Sequence, residues 1–111
     1  MTVTIKNIIP RKQAEAAQTT QYTAANCKTI IDKFTVTNTT SGAVTFSVNL
    51  VALSGTAGAA NLVISGKSIA AGECYTCPEL VGQTLENGGF ISTLAGAATS
   101  LTISASGREV T

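Results

Sequence analysis

The sequence holds no histidine and no tryptophan, and its aromatic residues number five: Tyr22, Phe34, Phe46, Tyr75 and Phe90. The first absence excludes His-based triads, imidazole metal sites and histidine pH switches. The shortage of rings leaves little to stack against sugars or bases. Charge is scarce too. Seven Lys/Arg face six Asp/Glu, a net charge of +1, and charged residues make up 12% of the chain. Nucleic acid calls for a basic stripe that such a balance does not supply. No apolar run approaches the roughly 18–20 residues of a membrane span. The opening Met1-Thr2-Val3-Thr4-Ile5-Lys6 lacks the basic start and apolar run of a secretory signal, so synthesis in a cytoplasm is expected.

Cysteine is sparse and odd in number: Cys27, Cys74 and Cys77. Three thiols cannot complete a disulfide framework. Cys74-Tyr75-Thr76-Cys77 has the spacing of a redox pair, but a thioredoxin-like site sets that pair at a helix N-terminus, and the flanks here read as strand and turn. Zinc wants about four ligands, and three Cys without His fall short. The expectation is reduced structural thiols, with no metal and no cofactor. The acids Glu15, Asp32, Glu73, Glu79, Glu86 and Glu109 are scattered. Glu73 and Glu79 could face one another across a turn, but a glycosidase-like pair also needs a cleft. No P-loop, EF-hand or GxSxG elbow is present. The chain reads as a binding or structural module, not an enzyme.

What the sequence does have is Thr and Ser, 27 of 111 residues. β-branched Thr suits the exposed face of a pleated sheet. A chain this long is one domain, and surface scaling puts its folded area at about 5,700 Å². The hydrophobic period is two. Val44-Thr45-Phe46-Ser47-Val48-Asn49-Leu50 alternates without a break, which predicts a strand with Val44, Phe46, Val48 and Leu50 inward. Ile30 to Asn38 predicts another, with Ile30, Phe34 and Val36 inward and Asp32 breaking the face at a strand end or bulge. Thr39-Thr40-Ser41-Gly42 reads as a hairpin turn between them. Further strands are expected at 61–65, 74–77, 90–95 and from Leu101 toward Val110, with Leu101 and Ile103 buried. Residues 18–25 read as extended. Only 11–18 has helix-forming composition, and that piece is marginal. Many short strands with Gly-rich turns predict an all-β antiparallel jelly roll or sandwich.

Residues 1–17 mix basic, apolar and Ala-rich pieces without one core-facing period. They read as an N-terminal arm ahead of a single domain over 18–111. On this reading Ile5, Ile8 and Ile9 bury against a partner when the arm orders, and Lys6, Arg11 and Lys12 meet acidic side chains there.

A resemblance adds to this. The stretches "IIDKFTVTNTTSGAVTFSVNLV", "SIAAGECYTCPELVGQTLENGGFIS" and "AGAATSLTISASGREVT" resemble the small all-β virion proteins of tailed bacteriophages. The matching pieces are Thr37-Asn38-Thr39, Leu50-Val51, Ile69 to Glu73, Leu85 to Gly88 and Ser106 to Glu109, within residues 29 to 111. Length, composition and arm are most similar to the capsid decoration (staple or cement) proteins of short-tailed phages of the epsilon type that infect Salmonella. Cys74 departs from the Thr expected in that turn. The resemblance implies a non-enzymatic jelly-roll protein on the outer surface of the icosahedral head. It implies contact with the major capsid protein, and a homodimer at the two-fold positions. It carries no individual binding residues with it. A neck, baseplate or fibre subunit, or a carbohydrate-binding sandwich, are the alternatives.

Overall fold

The computed structural model describes all residues 1–111. Nine strands run in chain order as β1 (Val3–Gln13), β2 (Thr19–Thr23), β3 (Lys28–Asn38), β4 (Val44–Val51), β5 (Leu62–Ile69), β6 (Cys74–Tyr75), β7 (Thr84–Leu85), β8 (Phe90–Ala95) and β9 (Leu101–Val110). One sheet has the order β1-β9-β3-β6, with β7 also paired to β3, and the other has β2-β8-β4-β5. All pairings are antiparallel.

The order follows from one long hairpin. Val3 pairs with Val110, Thr20 with Ser92, Val36 with Tyr75 and Val44 with Ile69, all roughly symmetric about the Gly55–Gly58 loop. Rolling that hairpin sets β9 against β3 and β8 against β4 and closes a jelly roll of two face-to-face sheets. The β-sandwich expected from the sequence is the fold observed. The accessible surface, 5568 Å², is that of a well-packed chain of this length.

The core lies between the sheets. Phe34, Val36, Phe46, Val48, Leu101 and Ile103 are fully buried there, and Val44 and Leu50 pack against the rim of the same cluster. The inward face of β3 is corrected at one position: Ile31 is the buried residue, and Ile30 lies half-buried. The register of β3 on β9 shifts between Ile31 and Lys33, a bulge at Asp32. The bulge swaps the parity, so Thr29 and Ile31 point inward before it and Phe34 and Val36 after it.

Three further expectations change. The turn at 39–42 is not a hairpin, because β3 and β4 lie in different sheets; it is a corner between them. Asn38 fastens that corner. Its buried amide nitrogen donates to the carbonyls of Gly42 (2.8 Å) and Ile69 (2.9 Å), and its oxygen accepts from the Thr40 N–H (2.9 Å) and hydroxyl (2.7 Å). All four bonding positions of the amide are filled. Residues 11–18 form no helix; β1 runs to Gln13 and Ala14 is buried.

The largest correction concerns the arm. Residues 3–13 are not a detached arm but an edge strand, paired with β9 from Val3↔Val110 to Gln13↔Thr102. Its period is hidden by two register irregularities, between Lys6 and Ile9 and between Ile9 and Lys12. They let the consecutive Ile8 and Ile9 both enter the core.

Candidate interaction surfaces

The six residues expected to meet a partner are divided by the structure. Ile8 and Ile9 are 4% and 1% exposed and belong to the core, so they are not available to a partner. Lys12 is ion-paired with Glu15 at 2.9 Å, and Lys6 with Glu109 at 3.3 Å. Ile5 stands 84% exposed, beside exposed Met1 and Val3. Arg11 lies apart from these, over the outer face of the β1-β9-β3 sheet.

Edge strand β1 is built in two halves. Its C-terminal half carries Pro10, which has no N–H to offer, and a register break that bends it away from regular pairing. Its N-terminal half is regular. Thr2 and Thr111 exchange both backbone hydrogen bonds (3.2 and 2.9 Å), and the register runs unbroken from Val3 to Lys6. Antiparallel alternation then turns the N–H and C=O groups of Val3 and Ile5 outward, away from β9. The residues with free backbone groups are the same two that expose apolar side chains. Lys6 is the one charged side chain guarding this stretch, and it is turned toward Glu109. Sequence reading found Ile5 and missed Val3, although both occupy alternate positions of one run.

Glu109 ties both sheets together at this end. The Tyr22 hydroxyl, carried by the opposite sheet, donates to Glu109, and it lies 2.7 Å from the Thr29 hydroxyl. The hydrogen bond from Tyr22 holds the Glu109 carboxyl below the ordinary range, helped by Lys6. Burial, then the same bond, pushes the Tyr22 phenol up. The signs give two limbs. A depressed carboxyl contributes stability above its unfolded pKa that is lost as pH falls through the folded one. A raised phenol contributes stability below its unfolded pKa that is lost as pH rises. Tyr22→Phe removes both, so the stability gap between parent and variant is expected to be widest near neutral pH. It should narrow in acid and in alkali. Urea midpoints measured across pH check this, and a gap constant with pH would refute it.

The cysteines are all free, with Cys74 exposed and Cys27 and Cys77 buried. Cys74 sits on β6 and Cys77 in the turn after it, with no helix N-terminus to stabilise a thiolate. Burial pushes the Cys77 thiol up to about 12. Glu73 and Glu79 do not face one another: Glu73 accepts from the Ala70 N–H (2.7 Å), and Glu79 from the Tyr75 hydroxyl (2.6 Å). The bond to Glu79 raises the Tyr75 phenol to about 12. No three Cys, Asp or Glu side chains converge as metal ligands would. Maleimide at neutral pH is expected to label Cys74 alone in the folded protein, with all three cysteines labelled in urea. Intact mass resolves one adduct from three.

No family model matches the chain, and no curated protein matches it. Among solved structures the chain is similar to one in the structure of infectious bursal disease virus, Gx strain. The superposition has a TM-score of 0.54 at 16% identity. It covers 98% of this chain and 33% of the other, so this chain spans about a third of the length of the one it matches. At that identity the likeness is one of fold.

Proposed function

We propose that the chain is a non-enzymatic virion protein of the decoration class. It binds the outer surface of an icosahedral phage head and stabilises contacts between major capsid protein subunits, working as a homodimer across two-fold seams. The observation that carries the reading is the open half of β1. Soluble monomers ordinarily protect sheet edges with charge, proline or bulges. Here residues 10–13 are protected and residues 3–5 are left bare, with outward backbone groups and apolar Val3 and Ile5 in one place. An edge of this kind takes up a further strand by main-chain pairing, while alternate side chains fill pockets on the partner. The jelly-roll topology and the fold shared with a chain of a virus structure support a virion setting. So does the resemblance of the corner and turn motifs to small phage virion proteins.

A cement gains by repetition. A standard specific interface of about 1,600 Å² per contact gives firm binding by itself. A dimer with two such contacts adds effective concentration to each. The Thr- and Ser-rich, nearly neutral surface lets many copies crowd on one shell without mutual repulsion.

The test is co-sedimentation of the purified chain with empty heads of the phage that encodes it. Decoration at saturable stoichiometry is expected. Ile5→Pro removes one outward N–H at an edge position where proline is tolerated, and Val3→Asp places a charge in the contact; each is expected to weaken binding on the order of a hundredfold. Their melting temperatures should stay near the parent's. Heads that fail to carry the parent protein to the pellet, or variants that bind as well as the parent, would overturn the reading.

A further inference from the structure

The largest cavity of the molecule lies on the outer face of the β1-β9-β3 sheet, a groove of about 450 Å³. Arg11, Lys33, Thr35, Ser104 and Ser106 line it. Of the seven Lys and Arg side chains, five are already engaged. Lys6, Lys12, Lys28 and Arg108 pair with Glu109, Glu15, Glu86 and Asp32, and Lys67 lies over the Tyr75 ring at 4.9 Å. The two left with neither an ion pair nor a ring are Arg11 and Lys33, and both face this one groove.

No carboxylate of the chain is left over for them. Four are ion-paired, Glu79 holds the Tyr75 hydroxyl and Glu73 closes the turn at Ala70. Asp32, next in sequence to Lys33, is gripped by Arg108 through three bonds of 2.9–3.2 Å. The hydroxyls of Thr35, Ser104 and Ser106 likewise make no hydrogen bond within the molecule, unlike the capping and corner hydroxyls of Thr39, Thr40 and Ser100. Two uncommitted cations and three uncommitted donors therefore share a groove with no ring to stack a base or a sugar.

We propose that this groove is a docking site for an acidic segment of another protein. Arg11 and Lys33 would engage its carboxylates, and the Thr35, Ser104 and Ser106 hydroxyls would donate to them or to the backbone carbonyls between them. Arg11 offers a planar fork that can grip a carboxylate at two points, and Lys33 a mobile point charge. Arg11 stands on β1 and Lys33 on β3 with β9 between them, so their backbones lie about 10 Å apart, which favours a segment with carboxylates on separate residues over a single small anion. The inference goes beyond the decoration reading and does not depend on it, because the site is complete in the isolated chain.

The test titrates the ¹⁵N-labelled full chain with hexaglutamate at low salt, with inorganic phosphate as the second probe. The amide resonances of Thr35, Ser104 and Ser106 should move saturably with the peptide. The affinity should fall as salt rises, since exposed charges are screened within about 10 Å at 0.1 M. Arg11→Ala with Lys33→Ala should cost on the order of tenfold or more in affinity. Its melting temperature should be unchanged, because neither side chain has a partner within the fold. The double charge reversal, R11E with K33E, should lose hexaglutamate entirely. No saturable shift at millimolar peptide, equal affinity in the double-Ala variant, or phosphate binding as tightly as the peptide would each overturn the proposal. A chain that fails to decorate heads yet binds hexaglutamate would leave this proposal standing.

Discussion

Phe46→Ala is expected to lower the unfolding free energy by about 3–5 kcal/mol, the usual cost of emptying a buried phenylalanine site. The ring is fully buried on β4, in one sheet, and meets Phe34 of β3 in the other at 6.2 Å between centroids, tilted by 41°. A tilted pair at that distance adds about 0.5–1.5 kcal/mol to the area term in general, and here it spans the sandwich. The neighbours cannot close the hole cheaply. Val36, Val48 and Ile103 are held by ladders on both sides, because β3, β4, β8 and β9 are the inner strands of their sheets. A domain of this size has about 5–15 kcal/mol to lose, so the variant should sit near the edge of folding at 37 °C. Urea titration followed by far-ultraviolet circular dichroism checks this. The midpoint should fall with little change in slope. A loss under about 1 kcal/mol would mean that the Phe34–Phe46 contact is not the centre of the core.

Why this residue could be singled out from sequence, and others could not, is a matter of register. Val44 to Leu50 keeps strict alternation in sequence, and β4 pairs with β8 without a register shift from Phe46 to Val51, so linear period and spatial face coincide at Phe46 and Val48; at the strand's end Asn49 and Val51 are buried and Leu50 is only half-buried. The same holds for Leu101, Ile103 and Ala105 on β9. Bulges break that link. One extra residue at Asp32 moved the buried face from Ile30 to Ile31, and two irregularities in β1 made a core-facing strand look like an aperiodic arm. The corner at 39–42 has the composition of a hairpin turn. What makes it a corner is the pairing of β3 with β9 and of β4 with β8, which no local window contains. The groove was hidden for a similar reason. Arg11, Lys33, Ser104 and Ser106 come from three strands far apart in the chain, and only the β1-β9-β3 order brings them together. Ile5 could be picked out from sequence as a candidate because it is apolar in a weakly patterned stretch. Its edge position, the stronger reason, is a property of topology.

The second large effect is expected at Gly107, on the strand that joins β1 to β3. Gly107 pairs with Lys6 on one side and Ile31 on the other, next to the Asp32 bulge. The β3 backbone comes close to β9 at this point. A Cβ built on Gly107 would fall 2.3 Å from the Ile30 carbonyl oxygen and 3.4 Å from the Ile8 Cδ1. The first contact is with backbone in the middle of a sheet, which cannot swing aside as a side-chain tip would. Gly107→Ala must therefore separate β9 from β3 or flatten the bulge, at a cost of about 3 kcal/mol, the upper end for overpacking. Gly42→Ala is the control. Nothing lies within 4 Å of its Cβ position, and Gly42 is not among the glycines with positive φ. That substitution should be neutral or stabilise by about 0.4–1 kcal/mol through the unfolded chain. The damage at Gly107 should also be local before it is global. Moving β9 disturbs Lys6, Glu109 and the open edge of β1 together, so hydrogen exchange at Thr4 and Lys6, whose N–H groups face β9, should rise more than at Phe46 or Val48. Equal stability of the two alanine variants would show that the bulge yields freely and that the close approach at Gly107 does not hold the sheet in place.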